Sequence, residues 1–168
     1  MIKSVLVYAV CVIVIWGCDQ GLQPAEITSP GFKGKIISLS SIPPADSLLD
    51  LRVAAVPYDP TDSSIAAIFR DIFSVPQVIP FTPRTVVLDS LRQASYELST
   101  DERKYVYVAV VQQYGDSIFV NWRVVGIYGY TKAHPSPLPV VVEKGRMRSD
   151  IDIYVDFYDM PPQPFRLP

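Results

Sequence analysis

Residues 150–157 alternate without a fault: Ile151, Ile153, Val155 and Phe157 fall on one face, and Asp150, Asp152, Tyr154 and Asp156 on the other. Side chains of a strand point alternately to opposite faces, so a period of two commits this stretch to a strand with one buried side. The same pattern recurs upstream in pieces of strand length. Residues 49–56 place Leu49, Leu51, Val53 and Ala55 opposite Asp50 and Arg52, and residues 32–40, 84–89, 94–98 and 138–143 are further candidates. Residues 104–112 and 119–128 are apolar almost throughout, as expected of central strands covered on both faces. Gly115-Asp116 between them is a hairpin signal. Short strands separated by Pro, Gly, Asp and Ser predict an all-β domain, an antiparallel Greek-key β-sandwich of seven to eight strands. Trp122, between Val120 and Val124, is expected to face inward where two sheets meet.

One segment follows a different period. Ile65, Ile68, Phe69, Ile72 and Phe73 recur at helical spacing behind Asp62-Ser63-Ser64, which offers an N-cap. A short helical insertion ending before Pro76 is expected, closing one end of the sandwich. The tail, 161–168, opens Pro161-Pro162-Gln163-Pro164 and is expected to run extended over the surface.

The N-terminus has a different task. Lys3 precedes an apolar run from Val5 to Trp16, too short to span a bilayer, followed by Gly17 and Cys18. This order is that of a secretory signal over 1–17. Ile15-Trp16-Gly17-Cys18 resembles the lipobox of bacterial lipoproteins, with bulky Trp16 where that motif prefers Ala, Ser or Thr. The resemblance implies that the Cys18 thiol is acylated and becomes the first residue of the mature chain. Each methylene buried in the bilayer would contribute about 0.8 kcal/mol to the anchoring. The other cysteine, Cys11, would leave with the signal, so the exported domain is expected to hold together by packing without disulfides. Residues 18–30, polar with Gly21, Pro24 and Pro30, read as a flexible tether, and 31–160 as the domain. The expected location is the bacterial cell envelope, lipid-anchored, with the outer membrane favoured over the inner. Asp19 matches the inner-membrane retention signal of enteric bacteria, a rule that does not carry to other phyla.

Charge excludes one class of partner. With 15 Lys and Arg against 17 Asp and Glu, and no basic stripe, nothing supports nucleic-acid binding. Candidate chemistry is sparse. His134 is the single histidine, in the loop Ala133-His134-Pro135, and Ser117 and Ser136 lack a nucleophile-elbow setting. Asp150, Asp152 and Asp156 share a strand face but spread along it, so a solvated face is a better reading than a calcium site. Gly126-Ile127-Tyr128-Gly129 lies in a strand with no helix behind it, so no cofactor is expected. Aromatic residues carry the remaining binding hypothesis: Tyr105 and Tyr107 on one strand face, with Tyr128, Tyr130 and Tyr154 near them. Exposed tyrosines suit sugar rings and protein interfaces alike.

Phe32-Lys33-Gly34-Lys35-Ile36, and Ala94-Ser95-Tyr96-Glu97-Leu98 leading by a loop to residues 105–110, resemble the prealbumin-like, carboxypeptidase regulatory-like sandwich family. The strand at 122–128 and the closing segment 145–157 are similar to those of small lipoproteins of this type in the Bacteroidetes and Chlorobi lineages. Asp101-Glu102-Arg103 stands where that family has a Pro-Gly turn. The resemblance implies a non-catalytic module, structural or protein-interacting, working with another envelope protein. A module holding glycan or a small ligand through exposed tyrosines is the alternative.

Overall fold

The structure, a computed structural model, describes residues 29–117 and 120–164. In chain order its elements are β1 (Gly31–Ser38), β2 (Asp50–Val56), α1 (Ile65–Ile72), β3 (Gln93–Ser99), β4 (Lys104–Tyr105), β5 (Tyr107–Gln113), β6 (Trp122–Ile127), β7 (Val140–Val141), β8 (Met147–Arg148) and β9 (Ile153–Val155). The signal segment, Cys18, nearly all of the tether, Phe119 and the last four residues lie outside the described residues.

Among the described residues the fold is all-β, with strands in several sheets and one short α-helix. In one sheet β3 pairs antiparallel with β1, whose other edge takes β8 and then β9, both parallel. A second sheet has the order β2-β5-β6, all antiparallel, and β4 pairs with β7. β5 is the middle strand of its sheet, and its two faces feed two cores. Val108 and Val110 join Phe32, Leu51, Val53, Ile153 and Phe157 in the main core. Tyr107 and Ala109 face the other way, with Val56, Ile68, Ile79 and Val124 in a smaller core beneath α1. A central strand covered on both sides needs apolar residues at consecutive positions, which is why this stretch reads as a run.

The two larger sheets approach each other at β9 and β6, where Asp156 N donates to Val125 O at 2.9 Å. Gly126 permits the approach, since a Cβ there would stand 2.4 Å from the Tyr154 carbonyl oxygen. Tyr96 spans the main core, its hydroxyl donating to Ile151 O at 2.6 Å, and its ring meets Phe32 edge-on at 6.2 Å between centroids.

Several expectations are corrected. Residues 84–89 are not a strand. Pro80 and Pro83 bring no N–H to a ladder, and the chain follows β2 only by scattered bonds such as Ala55 N to Pro80 O and Val86 N to Leu51 O. The run 104–112 is split at Val106, whose N–H bonds Val56 O as the chain passes from one sheet to another. Among the described residues there are nine short strands; two of them, β8 and β9, run parallel to β1, where a wholly antiparallel set is expected. In the alternating stretch 150–157 all four apolar residues are buried, yet only Ile153–Val155 is ladder. Asp150 takes a positive φ of 65°, and Lys35 N bonds the Asp152 carboxylate at 2.8 Å in place of a backbone carbonyl.

Candidate binding groove

The face of β2-β5-β6 turned away from the main core is roofed by α1. Ser64 starts that helix, its Oγ accepting from Ala67 N at 3.2 Å, and Phe73 N closes it on Phe69 O. The helix is pinned through Asp71. Tyr58 Oη donates to one carboxylate oxygen at 2.7 Å and Arg70 Nε to the other at 2.9 Å, while the Asp71 carbonyl accepts from Val78 N and Ile79 N. These bonds hold the Asp71 carboxyl below the usual carboxylate range, Arg70 first and Tyr58 second. Burial, and then the bond to Asp71, push the Tyr58 hydroxyl up to about 12.

Ile68 packs into the smaller core, but the apolar face of α1 does not fill the space over the sheet. Between them lies an apolar groove of about 740 Å³. The floor is low because Ala54 and Ala109 are cross-strand partners at its centre. Ile68, Phe69, Ile72 and Phe73 form the helical wall, and Ile79 and Phe81 also line the groove. Phe73 is 66% exposed at the rim.

One end of the groove is charged. Arg52 Nε bonds Asp50 at 2.6 Å, Nη1 bonds Thr82 O at 3.1 Å, and the guanidinium lies 5.4 Å over the Phe81 ring. Arg123 stacks 5.2 Å over Tyr114, with Nε on Gln112 Oε1 at 3.0 Å. Both cations rest on aromatic faces, so the groove is apolar along its length and polar at this end.

The expected inward Trp122 is instead half-buried and lines this groove, while its neighbour Val120 is exposed and Val124 buried. The β5–β6 ladder carries an irregularity at Val110/Val111, which offsets the alternation of this hairpin.

The tyrosines do not form one row. Tyr105 is 1% exposed in the main core, with its hydroxyl on Thr100. Tyr107 is buried in the smaller core, because the sheet switch at Val106 sends the two rings apart. Tyr128 packs against the main core and Tyr130 against the smaller one, both half-buried. Tyr154 alone of the five is well exposed, at 56%, on β9. The Tyr107 hydroxyl has no hydrogen-bond partner among the described residues. Cys18 lies outside those residues.

His134 is exposed in a tight turn where its N–H and carbonyl both bond Thr131. The aspartates have separate local partners: Asp152 with Lys35 N, and Asp156 with Tyr158 N and Asp159 N. Among the described residues no group of three or more His, Cys, Asp or Glu is placed to hold a metal ion, and no helix is long and apolar enough to cross a membrane.

Gln163 was not legible as a structural residue. Its amide accepts from Val124 N at 2.8 Å and donates to Val124 O at 2.9 Å, as a neighbouring strand would. The only signal is its place as the single side chain with both a donor and an acceptor in a proline-rich tail. Compared with known proteins, the chain matches no family model, no curated protein and no solved structure.

Proposed function

We propose that this chain is an exported lipoprotein, held at a membrane of the bacterial cell envelope through Cys18, whose non-catalytic β-domain is a protein-interaction module. The groove over β2-β5-β6 carries the reading. Its volume, about 740 Å³, is in the range of binding clefts, and contiguous apolar surface left open in this way is characteristic of interaction sites. The occupant this lining suits is an apolar segment of another envelope protein with an acidic or polar end toward Arg52 and Arg123.

For the domain itself the proposal is a prealbumin-like Greek-key sandwich. Its support is a main core drawing Phe32, Leu51, Tyr96, Val108 and Ile153 from strands of both larger sheets. The glycan reading has less behind it, since Tyr154 alone among the five tyrosines is well exposed.

The test places a photo-cross-linker at Phe73 in the full chain, in its own membrane, with Ala54→Phe as the groove-filling variant. A discrete adduct with wild-type Ala54 that disappears with Ala54→Phe is expected. Equal adducts from both would contradict a groove-borne role.

A further inference from the structure

The backbone directions of β3 can be read from its bonds to β1. Thr100 N bonds Pro30 O at one end of the pairing and Ser38 N bonds Arg92 O at the other. Hydrogen-bonded and non-bonded pairs alternate along an antiparallel ladder, so in the register Gly34↔Tyr96 the even-numbered residues of β3 bond β1. The odd ones, Gln93, Ser95, Glu97 and Ser99, therefore turn their N–H and C=O groups away from it. The far side of β1 agrees, with Gly31 N, Lys33 O and Lys35 N all bonded toward residues 146–152.

At Gln93 the outward groups are used: its N–H bonds Asp89 Oδ1 and its carbonyl accepts from Asp89 N, each at 2.8 Å. At Ser95, Glu97 and Ser99 no partner is recorded among the described residues. The two edges of the β2-β5-β6 sheet are covered in part, β6 by the Gln163 amide and β2 by residues 80–86. Beside β3 there is instead a slot of about 540 Å³, with Gln93 to Glu97 on one wall and residues 82–87 on the other. Sheet neighbours therefore run β3-β1-β9, then by the Asp156–Val125 bond to β6-β5-β2 and residues 80–86, with the circuit open at this slot.

We propose that the free edge of β3 takes one extended peptide strand of a partner protein, which closes this seam by backbone pairing. The proposal rests on the interaction-module reading but uses a different surface from the groove. A single peptide is the occupant because the slot has two walls. A second copy of this chain would have to bring its own β3 with residues 82–89 still fastened to it at Asp89. The entering strand would alternate, with apolar side chains beside Tyr96 and Leu98, polar ones beside Ser95 and Glu97, and no proline at the pairing positions.

The test is backbone amide exchange on the full chain in detergent, with an acetylated, amidated Thr-Val-Thr-Val-Thr peptide and the same peptide N-methylated at alternate residues. Exchange at Ser95 and Glu97 should slow about tenfold with the first peptide and not with the second. Glu97→Pro removes one outward N–H and none that bonds β1, so it should keep the fold and lose the effect. Leu98→Pro, whose N–H bonds β1, should loosen β3 itself. Unchanged exchange at Ser95 and Glu97 would overturn the proposal while leaving the Phe73 cross-link untouched. Protection that appears without peptide and grows with protein concentration would overturn it in favour of pairing between two copies.

Discussion

At the scale of single residues, the smaller core holds an imperfection with a measurable sign. The Tyr107 hydroxyl is buried without a partner among the described residues, and burial raises its pKa. An unsatisfied buried polar group costs about 1–3 kcal/mol, so Tyr107→Phe should leave stability unchanged or raise it by about 1 kcal/mol in chemical denaturation. A loss of that size would mean the hydroxyl is bonded. Asp71 behaves in the opposite sense. Its carboxyl is held low in the folded chain, so its stabilisation is complete above the ordinary aspartate value of about 4 and is lost as pH falls through the folded value. Tyr58 is raised, so its contribution is present below about 10 and lost as pH climbs toward about 12. Melting temperature against pH should therefore drop at both extremes. Asp71→Asn should flatten the acid limb, and an unaltered limb would show that the pinning of α1 lies elsewhere.

At the scale of elements, the sequence is informative where one face of a strand is buried and ambiguous where the chain changes sheets. The apolar face Ile151, Ile153, Val155 and Phe157 is buried throughout, and the helix spacing from Ile65 to Ile72 with Ser64 as cap is realised. Tyr105 and Tyr107 read as neighbours on one face because nothing local announces the turn at Val106. That switch is set by the β4–β7 pairing with residues far along the chain. Residues 84–89 alternate acceptably, but the prolines preceding them prevent a regular ladder. The groove was illegible for a related reason: Ala54 and Ala109 make its floor only once register sets them opposite each other. Close approach of β6 to β9 also leaves a plain test. Gly126→Ala should cost about 1–3 kcal/mol as the added methyl meets the Tyr154 carbonyl. A variant as stable as wild type would mean that the two strands part without penalty.

At the scale of the whole molecule, the groove and the β3 edge, which has no outer strand partner among the described residues, lie on different surfaces of one domain. Open apolar surface and open strand edges invite non-specific association. A chain fixed at a membrane meets its partner at high local concentration, a setting in which such surfaces are useful. The envelope role proposed for the chain thus depends on attachment through Cys18. Metabolic labelling with a palmitate analogue is the most direct measurement of that attachment. Wild type should carry the label and Cys18→Ser should not, while the melting transition of the domain stays the same in both; equal labelling of the two chains would contradict the anchor on which the proposed function rests.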